Sequence, residues 1–312
     1  MKAVIIENYG GKEELKDAVV ADPKAGAGQV VVQLKATSIN PIDWKLREGY
    51  LKQMMDWPFP IILGWDAAGI ISEVGADVTD WQVGDKVFAR PETTRFGTYA
   101  EYTVVDAPLL AKIPDNVSFE EAASIPLAGL TAWQALFDHG NLQAGEKVLI
   151  HAGAGGVGTL AIQLAKNAGA YVVTTASEKN TAFLKELGAD EVIDYRTTNF
   201  ADVLTDIDLV FDTMGGDIQK DSFRVLKEGT GRLISIVSEP DKDLAKAKNI
   251  LAKSIWLQPN GEQLQKIADL MASGKVKAIV GETFLFSVKG VYDAHALSET
   301  HHAKGKIVVR FE

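Results

Sequence analysis

Short runs rich in valine and isoleucine, at strand length and broken by glycine and proline, pattern the first third of the chain; Gln29 to Leu34 and Ala67 to Val74 are the clearest. That texture predicts a mostly β domain. After Pro126 the pattern changes to brief apolar runs alternating with stretches of helical periodicity. Strands are predicted over Lys147 to His151, Tyr171 to Thr175, Glu191 to Ile193, Leu209 to Asp212 and Arg232 to Ile236, with a last one around Ser254 to Leu257. Helices fall between them, over Val157 to Ala168, Asn180 to Leu187 and Ile218 to Leu226. Gly169 and Gly188 stand directly behind the first two, where a helix C-terminus favours a left-handed residue. This alternation predicts an α/β fold with a doubly wound parallel sheet and helices on both faces.

The final stretch loses that rhythm. A helix over Gln263 to Ser273, a strand over Thr283 to Phe286, a helix over Val288 to Leu297 and a strand over Lys306 to Phe311 read as a return to the first domain. The expected division is therefore residues 1–126 with 259–312 as one domain and 127–258 as a dinucleotide-binding domain of Rossmann type. With 312 residues the chain is long enough for two domains with well-buried cores.

Charge and composition narrow the function. Lysine and arginine number 32 against 42 aspartates and glutamates, a net −10 that repels a phosphate backbone and disfavours nucleic acid as partner. No apolar stretch approaches membrane-spanning length, and the run at Met1 to Glu7 is too short for a secretory core, so a cytoplasmic protein without a membrane partner is expected. With no cysteine there can be no disulfide, thiolate nucleophile, iron–sulfur cluster or cysteine-held zinc. The five histidines, His139, His151, His295, His301 and His302, include no pair at i, i+4, which argues against a metal site rebuilt on one helix face.

The most specific motif is Gly153-Ala154-Gly155-Gly156-Val157-Gly158, set directly behind the strand Lys147 to His151 and opening a helix. In that setting Gly153 permits the tight turn, Gly155 lets backbone approach a pyrophosphate, and Gly158 lets helix and strand pack closely; the helix N-terminus holds the phosphates. The end of the next strand, where a carboxylate would accept the ribose hydroxyls of NAD, carries Ser177, followed by Glu178 and Lys179. A serine with a nearby lysine suits a 2′-phosphate, so NADPH is favoured, with Tyr195 and Arg196 able to close around the same group. The competing reading has Glu178 as the ribose ligand and Lys179 as a solvated charge. Met214 and Gly215, and the stretch from Ser235 through Ile236 to Ser238, lie at later strand ends, where such a sheet binds its ligand.

Six short motifs, Ser38-Ile39-Asn40-Pro41-Ile42-Asp43, Gly64-Trp65-Asp66-Ala67-Ala68-Gly69, Val83-Gly84-Asp85-Lys86-Val87, Gly97-Thr98-Tyr99-Ala100-Glu101-Tyr102, Leu127-Ala128-Gly129-Leu130-Thr131-Ala132 and Gly305-Lys306-Ile307-Val308, join the glycine loop in order and spacing. Together they resemble the medium-chain dehydrogenase/reductase superfamily, and within it the zinc-free quinone oxidoreductase branch. The resemblance implies a GroES-like β domain built from both chain ends around an inserted dinucleotide-binding domain, and a homodimer joined through the edge strand of the dinucleotide domain. In zinc alcohol dehydrogenases of this superfamily a cysteine and a Gly-His-Glu histidine hold the metal; here the corresponding stretches read Asn40-Pro41-Ile42-Asp43 and Gly64-Trp65-Asp66.

Without a Lewis acid, alcohol oxidation loses its electrophilic help, whereas a quinone or an α,β-unsaturated carbonyl (enal or enone) accepts hydride at carbon and needs only donors for the charge gathering on oxygen. The implied activity is zinc-independent, NADPH-dependent reduction of such acceptors. By the same resemblance Asn40 and Asp43 lie near the nicotinamide end of the cleft, Asn40 and Thr131 position the nicotinamide or the substrate oxygen, and Tyr50 orients the carbonyl or hands over a proton. Tyr50 could equally be an aromatic core residue and Asp43 a turn-forming aspartate. Lys304 and Lys306 close the set of candidate cofactor ligands. Trp44, Met54, Met55, Trp57, Trp65 and Phe96 are candidates for an apolar wall. Two alternatives remain: an alcohol dehydrogenase with a rebuilt metal site, and an NADPH-binding protein with a redox-responsive or structural role.

Overall fold

The computed structural model describes all 312 residues. The chain divides into two compact units, Met1–Leu127 with Pro259–Glu312, and Ala128–Gln258.

The first unit opens with β1 (Lys2–Ile6), β2 (Lys16–Val19), β3 (Gln29–Ile39) and β4 (Ile61–Ile62), and continues with β5 (Ala67–Val74), β6 (Lys86–Ala89), β7 (Tyr102–Asp106) and β8 (Leu110–Lys112). β3 runs well past the predicted Leu34, because Ala36 to Ile39, all buried, pair antiparallel with β16 from the other end of the chain.

The second unit carries β9 (Lys147–Ile150), β10 (Tyr171–Ala176), β11 (Glu191–Asp194), β12 (Leu209–Asp212), β13 (Arg232–Ser235) and β14 (Leu251–Ser254). All pair in parallel, in the order β11-β10-β9-β12-β13-β14. Leu149, Val173, Val210 and Leu233 are fully buried and pack with Phe223 and Val225 of the helix Gly216–Val225. Such β-branched and aliphatic strands, covered on both faces, are what a parallel sheet requires. Gly169 and Gly188 both take positive φ behind their helices. The last strand is a correction: Leu251–Ser254, not Ser254 to Leu257, pairs with β13. The helix Lys242–Lys248 stops at Asn249, which is left-handed at φ 52°, so the chain enters the sheet a few residues earlier than the apolar run Ile255-Trp256-Leu257 suggests.

The chain then re-enters the first unit through the helix Gly261–Ala272, β15 (Val280–Leu285), the helix Val288–Glu299 and β16 (Lys306–Arg310). β16 pairs antiparallel with β3 and places Ile307 opposite Ile39 and Val308 opposite Ser38. The larger sheet of this unit is ordered β15-β16-β3-β5-β6-β8 with β7 also on β3, and a smaller sheet is ordered β2-β1-β4. Residues from the two ends of the sequence thereby share one buried layer, including Ile6, Trp65, Tyr99 and Val309.

Candidate active site

In the second unit the glycine loop leaves β9 and turns through His151 and Ala152, the latter left-handed at φ 52°. The helix Gly156–Asn167 follows at once, with Gly155 as its extended N-cap and no acidic residue in its first turn. The first N–H groups of that helix have no helical acceptor and meet an anion favourably. A Cβ on Gly158 would fall 2.5 Å from the Ala152 carbonyl oxygen and 2.7 Å from Gly153 Cα, so only glycine lets helix and loop close together. A Cβ on Gly155 would meet nothing nearer than the Ala152 oxygen at 3.4 Å, which leaves open space where a pyrophosphate can approach. The residues present therefore fit a dinucleotide.

The loop is held from below. Gly153 N–H donates to Thr175 O at 3.1 Å and Ala152 N–H to Thr175 Oγ1 at 3.2 Å. His151 lies between Thr175 Oγ1 at 3.2 Å and Ser222 Oγ at 2.9 Å. Ser222 donates its own proton to Ile218 O, so it accepts from His151 Nε2–H and the imidazole is the neutral Nε2 tautomer. Burial pushes His151 down to about 4.

At the end of β12 the buried Asp212 organises four predicted positions, Met214, Gly215, Ile236 and Ser238. Its Oδ1 accepts the N–H groups of Met214 and Gly215, both at 2.9 Å. Its Oδ2 accepts Ser235 Oγ and Gln219 Nε2, both at 2.8 Å, and Gln219 also reaches Ser238 O at 3.1 Å. The Ile236 N–H donates to Asp212 O. Sequence reading passed over Asp212 because it completes an apolar strand; its signal is an aspartate at a parallel strand's carboxyl end, three residues before the glycine pair Gly215-Gly216.

At the ends of the paired strands β10 and β11, Ser177 is buried while Glu178 and Lys179 are exposed. Tyr195 is exposed as well, with the Arg196 guanidinium 5.9 Å from its ring centroid. Thr131 is buried on the helix Pro126–Trp133.

In the first unit Asn40 sits where β3 gives way to the helix Pro41–Arg47. Its Nδ2 donates to Asp66 Oδ2 at 2.7 Å and its Oδ1 accepts from Lys306 Nζ, which also donates to Ile39 O at 2.8 Å. Asp66 further accepts Ser38 Oγ on Oδ2 and the Leu127 N–H on Oδ1. Asp43 is no loose turn residue: at the third helical position its Oδ2 accepts the Asn40 N–H at 2.8 Å, as in one half of a capping box, and the Tyr99 hydroxyl at 2.8 Å. Burial pushes the Asp43 carboxyl up to about 7 against the pull of those two donors. Lys306, also fully buried, is held below the usual lysine range by desolvation, which the Asp66 and Asp43 charges oppose.

These contacts bear on zinc. Trp65 stands in the histidine position of the metal-binding motif, fully buried, its Nε1 donating to Thr94 O. Asp66 has both oxygens occupied and no group of three or more His, Asp or Glu side chains is disposed to hold a metal. The donor set does not fit zinc.

The remaining candidates separate by exposure. Trp44 and Trp65 belong to the core, Met55 and Trp57 are half-buried against it, and Tyr50, at 70% exposure, Met54 and Phe96 are open to solvent, as is Phe59, which the sequence reading did not single out. Arg95 links the loops that carry them, donating to Pro58 O and covering the Phe96 ring at 4.5 Å. Lys304 is exposed and lines a hollow with His302, Glu282 and Leu297. His301 meets the edge of Trp44, and His139 accepts from Lys253. No helix is long and apolar enough to cross a membrane.

Comparison with known proteins agrees with this architecture. Residues 26–115 match the alcohol dehydrogenase GroES-like domain and residues 187–309 the zinc-binding dehydrogenase domain. The chain is 36% identical to an NADPH-dependent alkenal/one oxidoreductase of Arabidopsis thaliana, over 99% of this chain and 79% of that protein. It superposes on a quinone oxidoreductase from Coxiella burnetii with a TM-score of 0.92 and 36% identity, covering 100% of this chain and 99% of that one. The Escherichia coli quinone oxidoreductase complexed with NADPH superposes with a TM-score of 0.89 and 27% identity, over 99% and 100% of the two chains.

Proposed function

The chain belongs to the quinone oxidoreductase branch of the medium-chain dehydrogenase/reductase superfamily, and from that premise we propose that it reduces quinones or α,β-unsaturated carbonyls with NADPH and without zinc. The observation that carries this reading is the network of Asn40, Asp66 and Lys306, which commits the Asp66 carboxylate to hydrogen bonds beside a buried ammonium, with Trp65 standing where a metal-binding histidine would. An acceptor that must be reduced there has to bring its own activation, as a conjugated carbonyl does.

NADPH supplies the hydride when bound. The chain's own residues do the rest. The glycine loop and the helix behind it hold the pyrophosphate; Asp212 holds Met214 and Gly215 in place and, through Gln219, Ser238; Lys179 and Arg196, with Ser177 and Tyr195, suit the 2′-phosphate. Thr131 is assigned to the nicotinamide. Asn40, its amide fixed by Asp66 and Lys306, retains one N–H of Nδ2 for the acceptor oxygen. Hydride adds to the β-carbon of an enone, the electron pair shifts onto the carbonyl oxygen, and one proton, delivered by Tyr50 directly or through water, completes the two-electron reduction. A quinone takes one hydride and one proton to give the hydroquinone. Met54, Phe59 and Phe96, with the half-buried Trp57 between the first two in sequence, supply apolar surface for a flat ring.

The deciding experiment follows NADPH oxidation by metal-stripped protein with quinones and conjugated enals, NADH in parallel. Turnover with NADPH is expected. Silence that zinc restores would return the reaction to alcohol dehydrogenase chemistry, and tight NADPH binding with silence throughout would indicate a binding protein.

A homodimer and a cytoplasmic location belong to the same proposal. The dimer is supported by β14, an edge strand flanked by the exposed side chains of Leu251 and Trp256, which a second copy can cover by continuing the sheet. Sedimentation at micromolar concentration tests it, and a monomer there would remove it.

A further inference from the structure

A second chain of hydrogen bonds reaches the same oxygen of Asp43 that accepts from Asn40, and its polarity is fixed by chemistry. Arg47 is fully buried, and its guanidinium contacts Glu48 at 2.8 Å, Glu299 at 2.9 Å, Gly10 O at 3.1 Å and His295 Nδ1 at 2.8 Å. A guanidinium can only donate, so His295 Nδ1 accepts and the imidazole proton sits on Nε2. His295 Nε2 lies 3.0 Å from the Tyr99 hydroxyl and therefore donates to it. The single proton of Tyr99 is then committed to Asp43 Oδ2 at 2.8 Å. Every donor points the same way.

Nothing else in the chain of contacts competes for the charge. Burial, aided by the Arg47 charge, keeps His295 down at about 3, and burial beside Asp43 keeps the Tyr99 phenol well above its ordinary value. Asp43 Oδ1 is buried without a hydrogen-bond partner, so a proton can be taken up there with both bonds to Oδ2 intact. The groups that face Asp43 are Asp66 before β5, Lys306 on β16, Arg90 after β6, Tyr99, and His295 with Arg47 behind it.

We propose that Tyr99 and His295 are positioning residues for the reaction: their one-way chain from Arg47 sets the proton occupancy of Asp43, which in turn holds the backbone of Asn40. This rests on the assignment of Asn40 to the acceptor oxygen made above. Asn40 follows β3, Asp43 and Arg47 lie on the next helix, Tyr99 stands before β7 and His295 on the helix Val288–Glu299, so the C-terminal part of the chain reaches Asp43 through His295 as it reaches Asn40 through Lys306.

The test is the pH dependence of kcat/KM for the acceptor at saturating NADPH in the parent, Tyr99→Phe, His295→Ala, His295→Gln and Asp43→Asn proteins. The parent is expected to show an ionisation near neutrality that Asp43→Asn removes. Tyr99→Phe deletes a donor to the charged form, so that limb moves up by about one pH unit whichever form of Asp43 is active. His295→Ala moves it the same way by less, and His295→Gln, which keeps a donor toward Tyr99, restores it. Superimposable profiles in the parent and Tyr99→Phe overturn the proposal, as does a near-neutral limb that survives Asp43→Asn. Infrared titration of the buried carboxyl band gives the same comparison without turnover. A parent that titrates as described yet reduces no acceptor fails the functional reading alone, and a band unmoved by Tyr99→Phe fails this one.

Discussion

The ammonium of Lys306 lies 3.5 Å from Asp66 Oδ2, with both side chains buried, and the Asn40 amide between them bonds to each. An amide in that position cannot flip: its oxygen must face the lysine and its nitrogen the carboxylate. A motif near the start of the chain is thus oriented by a residue six positions from the end.

Replacing one member of this pair strands the other. Lys306→Met leaves Asp66 charged and desolvated, and is expected to lower stability by about 3–5 kcal/mol in urea denaturation, with the double variant Lys306→Met, Asp66→Asn recovering part of the loss. A single variant as stable as the parent would mean that the pair contributes nothing.

Two glycines of the phosphate loop should fail differently. Gly158→Ala drives a methyl into backbone atoms at 2.5 and 2.7 Å and should unfold the loop, lowering both the melting temperature and NADPH binding. Gly155→Ala meets only ordinary contact, so the melting temperature should hold while NADPH affinity falls at least tenfold, because the methyl occupies the phosphate's approach. Equal melting losses in the two variants would refute the distinction.

Cofactor preference is read at Lys179. Lys179→Ala should weaken NADPH by about tenfold and NADH little, the size of one lost charge-assisted contact. Titration of both nucleotides by fluorescence decides it, and equal weakening would remove the lysine from the 2′-phosphate.

Tyr50→Phe isolates the exposed hydroxyl. If that hydroxyl delivers the proton, the rate constant at saturating acceptor should fall by about a hundredfold or more, the usual contribution of a general acid, with NADPH affinity unchanged. An unaltered rate constant would leave Tyr50 a packing role only.

Acid sensitivity has a specific source behind the glycine loop. His151 is neutral when folded and titrates at about 4, while in the unfolded chain it titrates near 6.5. Its contribution to stability is complete above pH 6.5 and is lost as the pH falls toward 4. Between pH 7 and pH 5 the parent should lose about 2 kcal/mol more than His151→Gln, measured by urea midpoints at the two pH values. Parallel losses would show that the imidazole is solvated.

Much of the second unit was legible in sequence because its rules are local. The run Leu209 to Asp212 forms a strand with the predicted bounds, Gly169 and Gly188 stop their helices, and the glycine loop folds as its spacing requires, since each depends on residues within a turn or two. Even there the last strand shifted to Leu251–Ser254, because a left-handed Asn249, not the apolar run, decided where the chain re-entered the sheet.

In the first unit the sequence by itself determined residue types: Asn40 and Asp43 in a helix-opening motif, a tryptophan where a metal ligand would stand, no cysteine anywhere. Only the tertiary structure decided what those residues do. Tyr99 and His295 come from distant segments and link Asp43 to Arg47 of its own helix because β16 docks on β3 and the helix Val288–Glu299 packs beside it. No local pattern announces such a meeting: a buried donor takes whichever acceptor the fold brings within 3 Å, and the low-dielectric interior then makes that choice costly to undo.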